Sequence, residues 1–271
     1  MSIRFENLTY YYNDPENLVF RNLSVDLPGG LTSLVGQNGT GKTTFMLLAG
    51  GRIMPQEGTV FLSGIDTREM SSEDERNKLA SFVYQNMEFE ADETVGELLK
   101  IVFESGSHNP EEKNLIDDLV GAFELGTLLN RPFQKTSKGE MQKINIAFSL
   151  LYGSKTIMMD EPVFALENHW KDRVLEYLKN YVHDKHINLY YSIHELDLSR
   201  KYSDNGILFF KNGSIASGPA DRLFTKEKVE EAYQVPSELL YKRESLFRDH
   251  LLKPANPKDY ENFEGSVKVY E

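Results

Sequence analysis

Residues 36–43 read Gly36-Gln37-Asn38-Gly39-Thr40-Gly41-Lys42-Thr43, which fits the pattern G-x-x-x-x-G-K-[ST] of a loop that surrounds phosphate groups. The apolar run Leu31–Val35 before it predicts a buried strand, and residues 44–49 after it predict a helix. Such a loop needs both flanks, because its backbone amides and the amino end of the helix face the phosphates together. The stretch therefore predicts a nucleoside triphosphate site in an α/β protein.

Each part of this loop has a chemical role. Glycine has no Cβ, so successive backbone N–H groups can converge on phosphate oxygens. The Lys42 ammonium would reach the β- and γ-phosphates, and the Thr43 hydroxyl would ligate Mg²⁺. The residues of this region that we expect to bind the nucleotide are Gly36, Asn38, Gly39, Gly41, Lys42, Thr43 and Thr44.

Composition limits the class of protein. A chain of 271 residues can bury a full core and suits one large α/β domain with a subdomain. The sequence contains no cysteine, which fits a reducing compartment. The net charge of −12 argues against a nucleic-acid partner, which would require a basic face. The apolar stretches are far shorter than a membrane span, so we expect no direct membrane insertion.

Apolar periodicity predicts alternating strands and helices along the chain. The predicted strands are 3–12, 18–27, Leu31–Val35, 58–63, 81–84, Thr156–Met159, 188–193 and 206–210, and the predicted helices include 72–79, 170–182 and Leu196–Tyr202. The first two strands are joined by a turn at 13–15 and form an antiparallel N-terminal part, whereas 92–151 has helical periodicity and indicates an inserted helical subdomain. The later alternation predicts a mostly parallel sheet with helices on both faces.

A second site signal stands at the end of the predicted strand Thr156–Met159. This apolar strand is followed directly by Asp160 and Glu161. In a triphosphatase, a carboxylate in the first position holds Mg²⁺ and the next one orients or deprotonates the attacking water. Acidic residues at strand ends are also common for solvation alone, so the phosphate loop is what favours the catalytic interpretation.

These motifs, in this order, resemble the ATP-binding subunits of ABC transporters over residues 3–233. Gln85 follows a predicted strand and is similar to the glutamine loop of that family. Residues 137–140, Ser-Lys-Gly-Glu, resemble the family signature at the start of a helix, and His194 resembles its switch histidine. The resemblance makes Asp160 a ligand of Mg²⁺ together with Thr43 and Gln85, and makes Glu161, His194 and Gln85 the catalytic residues.

The resemblance also implies which further residues complete the nucleotide-binding site. Tyr12 is similar to the aromatic residue that stacks on adenine, with Tyr11 as the alternative because adjacent strand residues face opposite ways. Ser137, Gly139 and Glu140 would bind the ATP held by a second subunit. ATP would therefore be sandwiched in a head-to-tail homodimer, which hydrolysis would release.

By the same resemblance, the partners are transmembrane permease subunits. The ATPase domain would span 1–233 and include the helical subdomain at about 92–151, and residues 234–271 would form a tail of unknown role. The protein would be cytoplasmic and held on the inner face of the cell membrane through its permease. The run from 194 to 233 resembles importer ATPases for iron–siderophore, haem or cobalamin uptake, whereas a lysine in the signature also occurs in exporter ATPases.

Two of the departures from the family pattern bear directly on activity. Lys138 stands where the family usually has glycine, and a positive φ at that position would strain a lysine. Glu167 stands where the dimer-interface loop usually ends in Asp. Besides a transport ATPase, these departures leave open a nucleotide-binding regulatory module with little turnover. A soluble ABC ATPase of DNA repair or translation is the third class, and it would need long coiled-coil insertions or a second ATPase copy in the chain.

Overall fold

The computed structural model describes residues 3–85, 87, 90–108, 112 and 114–236. From the amino end, its elements are β1 (Ile3–Tyr11), β2 (Leu18–Asp26), β3 (Leu31–Val35), α1 (Lys42–Ala49), β4 (Glu57–Leu62), β5 (Ile65–Asp66), α2 (Glu73–Leu79), β6 (Ala80–Val83), α3 (Val95–Ser105), α4 (Leu115–Ala122), α5 (Lys138–Tyr152), β7 (Thr156–Met159), α6 (Asn168–Lys185), β8 (Asn188–Ser192), α7 (Leu196–Tyr202), β9 (Asn205–Phe209), β10 (Ile215–Pro219), α8 (Ala220–Leu223) and α9 (Lys226–Tyr233). The chain divides into two compact units, Met1–Gln234 and Val235–Glu271. The tail predicted at 234–271 lies almost entirely outside the described residues, and the predicted domain boundaries remain a prediction.

A six-stranded sheet forms the centre of the first unit, in the order β10-β9-β3-β8-β7-β6. All neighbours in it are parallel except β10, which pairs antiparallel with β9. Every residue of β3, β7 and β8 is buried, as expected for strands covered on both faces. The predicted mostly parallel sheet is confirmed. Because parallel strands end at the same edge, the segments that follow β3, β6, β7 and β8 meet there.

A second, antiparallel sheet has the order β2-β1-β4-β5 and contains the predicted N-terminal pair. Helix α1 lies between the two sheets. The Phe45 ring contacts Phe5 and Phe20 of the antiparallel sheet and Phe209 of the parallel sheet, with ring centroids 4.7, 5.9 and 5.2 Å apart. This aromatic cluster fixes the helix that follows the phosphate loop relative to both sheets.

The region between β6 and β7 contains α3, α4 and α5, as the helical periodicity predicted. Helices α3 and α5 each begin with a capping box, Thr94 with Glu97 and Ser137 with Glu140, which satisfies backbone amides that no helical carbonyl can reach. The α/β fold with a helical insertion is therefore confirmed. None of the described helices is long and apolar enough to cross a membrane.

Sequence periodicity missed several short elements and misplaced some ends. The strand predicted at 3–12 ends at Tyr11, and β5, α8 and α9 were not predicted. Helix α6 is longer at both ends than the predicted 170–182. The missed elements have two to eight residues, which is too short for either apolar period to be distinctive.

Candidate functional site

The phosphate loop connects β3 to α1 and is shaped by its glycines. Gly39 and Gly41 have φ values of +78° and +93°, in the left-handed region that other residues rarely adopt. A Cβ on Gly41 would lie 2.7 Å from Val19 Cγ1. Gly41 is the N-cap of α1, so the loop delivers its backbone amides to the amino end of that helix. The geometry is that of an anion site.

Lys42 folds back across this loop. Its Nζ donates hydrogen bonds to the carbonyl oxygens of Gly36 at 2.8 Å and Gln37 at 3.1 Å. Burial lowers the pKa of Lys42, and the nearby carboxylates of Glu161 and Asp160 oppose that shift. The ammonium is thus buried beside the site, and its partners are neutral carbonyl oxygens. Negatively charged phosphate oxygens can take the place of these partners.

Asp160 links the strand β7 to the phosphate loop and to β8. The hydroxyl of Thr43 donates to Asp160 Oδ2 at 2.6 Å, and the hydroxyl of Ser192 donates to Oδ1 at 2.6 Å. Mg²⁺ binds oxygen ligands. In phosphate-transferring sites these come from one or two protein side chains, from the substrate phosphates and from water. The adjacent hydroxyl and carboxylate of Thr43 and Asp160, next to the anion loop, fit this requirement.

The described residues contain no cluster of three or more His, Cys, Asp or Glu side chains able to hold a metal ion. The oxygen pair of Thr43 and Asp160, beside the phosphate loop, fits an ion that is shared with a bound nucleotide. Gln85, the third predicted Mg²⁺ ligand, donates a hydrogen bond from its Nε2 to Glu161. Its proposed contact with the ion stays a prediction.

Glu161 lies at the point where three strand ends meet. Its Oε1 is 2.8 Å from His194 Nε2, after β8, and its Oε2 accepts a hydrogen bond of 2.8 Å from Gln85 Nε2, after β6. The hydrogen bond and charge of His194, and then the charge of Lys42, lower the pKa of Glu161 although its burial opposes this. Glu161 is thus ionised at neutral pH and oriented through both oxygens, as a general base must be.

The backbone of Glu161 is unusual. Its φ is +49°, in the left-handed region that costs free energy for a residue with a Cβ. Its N–H donates to Ser192 Oγ at 2.8 Å, and the same hydroxyl donates to Asp160. Ser192 therefore holds both acidic residues, and sequence reasoning missed it because a serine inside a buried strand carries no distinctive pattern.

Tyr12 follows β1 and contacts the first turn of α1. Its hydroxyl is 2.9 Å from Thr44 Oγ1, and its side chain is 42% exposed, with the ring edge-on to the buried Tyr10. Tyr11 ends β1, and its backbone pairs with the side chain of Gln56. Of the two candidates for stacking on adenine, Tyr12 is the one that contacts a residue of the nucleotide region.

The predicted signature residues begin α5. Ser137 is its N-cap and accepts a hydrogen bond from the Glu140 amide, and the Glu140 carboxylate accepts from the Ser137 amide at 2.7 Å and from Arg131 Nη1 at 3.2 Å. Lys138 is the first helical residue, so the strain considered for a lysine at this position does not arise. The lysine is compatible with a properly capped helix.

The hydrogen bonds of Ser137 and Glu140 are with each other and with Arg131, not with the phosphate loop of the same chain. Gly139 lies beside the turn that follows Glu161, since a Cβ on Gly139 would be 3.3 Å from the Ala165 carbonyl oxygen. The structure thus brings together the residues after β3, β6, β7 and β8 and leaves the signature residues at a separate helix start.

Comparisons with known proteins agree with this geometry. The model of the ABC transporter family matches residues 20–164, more than half of the chain. A protein of Archaeoglobus fulgidus that carries the name ABC transporter ATP-binding protein is 30% identical over 85% of this chain and 96% of its own length. The petrobactin import ATP-binding protein FatE of Bacillus anthracis is 25% identical over 88% of this chain and 96% of its own.

Solved structures show the same fold. A metal-chelate type ABC transporter in an inward-facing conformation matches with a TM-score of 0.69 and 23% identity, covering 87% of this chain and 90% of the matched chain. The phosphate loop, the paired carboxylates and these matches lead to one conclusion. The chain belongs to the ABC transporter family and is one of its ATP-binding, ATP-hydrolysing subunits.

Proposed function

We propose that this chain powers an importer by binding and hydrolysing ATP between two copies of itself. The observation that carries the hydrolytic part is the position of Glu161, an ionised carboxylate with Gln85 on one oxygen and His194 on the other. A regulatory module with little turnover would have no need for a base held in this way. The arrangement therefore favours an active ATPase over the regulatory alternative.

The reaction follows from these positions. Lys42 exchanges its two carbonyl partners for the β- and γ-phosphates and neutralises part of their charge. Glu161 accepts a proton from the attacking water as its oxygen bonds to the γ-phosphorus and the bond to the β–γ bridging oxygen breaks, which gives ADP and phosphate. Thr43 and Asp160 would hold Mg²⁺ together with the nucleotide, and the ion would supply further positive charge to the phosphates. His194 keeps the carboxylate of Glu161 ionised and oriented, and Tyr12 stacks on adenine.

The second copy completes the site. Ser137, Gly139 and Glu140 stand at a capped helix start, which is suited to an anion. In a head-to-tail pair with twofold symmetry, each helix start faces the γ-phosphate held by the other phosphate loop. ATP then joins the two copies, and its hydrolysis separates them.

The remaining parts of the proposal concern the membrane. We infer that permease subunits hold the dimer on the cytoplasmic face of the cell membrane, through the exposed surface beside Gln85. The similarity to FatE, which is named for petrobactin import, supports uptake of an iron chelate as the direction and substrate class.

The activity is tested with purified protein and Mg-ATP by the release of phosphate. The Glu161→Gln variant should bind ATP and lose turnover by about 100- to 10,000-fold, because the general base is removed. Glu176, an exposed residue of α6, provides a matched control, and Glu176→Gln should retain the parent rate. Turnover by Glu161→Gln at the parent rate would contradict the assignment of the base.

The direction is tested in cells of the source organism. Cells whose only copy carries Glu161→Gln should take up less radioactive iron, supplied as a siderophore complex, than cells with the parent protein. Equal uptake by the two strains would contradict the importer proposal while leaving the ATPase activity untouched.

A further inference from the structure

A buried amide lies in the middle of α5, away from the signature at its start. The side chain of Asn145 is only 4% exposed, and its neighbours Ile144 and Ile146 are completely buried. Asparagine is a weak helix former, and a buried amide costs free energy unless it is hydrogen-bonded. An apolar residue would suit both the helix and the core better. The amide therefore requires an explanation from its contacts.

The contact of Asn145 is with the segment that carries Gln85. Asn145 Nδ2 donates a hydrogen bond of 2.8 Å to the Met87 carbonyl oxygen. The Met87 amide in turn donates to the Tyr84 carbonyl at 3.2 Å, which closes a turn that contains Gln85. Among the described residues, Asn145 Oδ1 has no hydrogen-bond partner, so the donor group is the part of the amide that the fold uses.

This turn places Gln85 on the catalytic base. Gln85 is the second residue of the turn, and its Nε2 donates to Glu161 Oε2 at 2.8 Å. At the other end, the Tyr84 ring stacks on Phe82 of β6 with centroids 4.5 Å apart. The strand thus fixes the entry to the turn, and Asn145 fixes its exit.

We propose that Asn145 is a positioning residue for ATP hydrolysis, which holds the Met87 carbonyl on α5 so that Gln85 reaches Glu161. This inference rests on the proposed function. Its consequence is specific: the helix that begins with Ser137, where the partner's ATP binds, also carries the anchor of the glutamine in the chain's own site. Movement of α5 on dimer closure would therefore change the hold of Gln85 on Glu161.

Two variants of Asn145 and one control test the proposal. Asn145→Ala removes the donor, and Asn145→Asp keeps the shape but turns an acceptor towards the Met87 carbonyl. Ser149→Ala is the control, because Ser149 is also buried in α5 but its hydroxyl donates to Ile146 of the same helix. Each protein is assayed for ATP binding and for kcat and KM. Rates are divided by the concentration of sites that bind ATP, so that a misfolded fraction does not lower the value of kcat.

Both Asn145 variants should lower kcat about tenfold or more, because small displacements of a catalytic constellation are costly. Their affinity for ATP should stay within about twofold of the parent, since only the hydrolytic step depends on the Gln85 contact.

Parent values of kcat in both variants would overturn the proposal. An equal loss of rate in Ser149→Ala would also overturn it, since it would show a general requirement for α5 packing. Failure of the proposed function has a different result: the parent itself would then show no Mg-ATP turnover that depends on Glu161.

Discussion

His194 Nε2 lies 2.8 Å from Glu161 Oε1, although the two residues follow different strands, β8 and β7. The hydrogen bond is the largest cause of the lowered pKa of Glu161. It also fixes the rotation of a carboxylate whose backbone is held at a positive φ. The pair therefore sets both the charge and the direction of the carboxylate that we propose as the base.

Removal of this histidine should change the pH dependence of the enzyme. Glu161 acts as a base only when ionised, so its lowered pKa keeps the enzyme active at lower pH. His194→Ala should raise the pKa of Glu161 and move the acid limb of the kcat/KM profile to higher pH, with a lower maximum. His183, which pairs with Asp204 outside the site, gives the control. An unchanged acid limb in His194→Ala, or an equal shift in His183→Ala, would contradict this account.

Lys42 should contribute mainly to the binding of ATP. A hydrogen bond to a charged group is worth roughly 1.5–3 kcal/mol, so Lys42→Ala should weaken ATP binding about 10- to 100-fold. Isothermal titration with ATP measures this loss. Lys155, whose side chain is exposed ahead of β7, is the control, and Lys155→Ala should bind as the parent does. Binding by Lys42→Ala at the parent affinity would show that the ammonium does not contact the phosphates.

Ser192 should control the requirement for Mg²⁺. Its hydroxyl donates to Asp160 and accepts from the Glu161 amide, so it orients the carboxylate that we expect beside the ion. Loss of such a supporting contact typically costs 10- to 100-fold in metal affinity or activity, and Ser192→Ala should raise the Mg²⁺ concentration for half-maximal activity by about tenfold. A titration of the ATPase rate with MgCl₂ measures this half-maximal concentration. An unchanged midpoint would contradict the role given to Asp160.

Phe45 should be a principal contributor to stability. Its ring contacts both sheets and is buried, so Phe45→Ala should lower the free energy of unfolding by about 3–5 kcal/mol. Phe164 is 53% exposed, and Phe164→Ala should change that free energy by no more than about 0.5 kcal/mol. Urea denaturation of the two variants makes the comparison. A similar loss in both would mean that the cluster around α1 is not the core that joins the sheets.

The sequence predicted the site to the extent that local patterns encode it. The phosphate loop, Asp160 and Glu161 stand next to strands with clear apolar runs, and the parallel sheet then brings them together. Ser192 and Asn145 could not be found this way, because each contacts a group that is distant in sequence. Ser192 donates to the Asp160 carboxylate, and Asn145 donates to the Met87 carbonyl. The strain considered for Lys138 also needed the structure, since only the position of the N-cap shows that the lysine is helical.

The central claim is that ATP joins two copies of this chain through the start of α5. The most direct measurement is the mass in solution of the Glu161→Gln protein, by light scattering on a sizing column, with and without Mg-ATP. The account predicts a monomer without nucleotide and twice that mass with Mg-ATP, and no such change when Ser137 is also replaced in Glu161→Gln/Ser137→Arg. A protein that remains a monomer while titration shows its sites filled with ATP would contradict the claim.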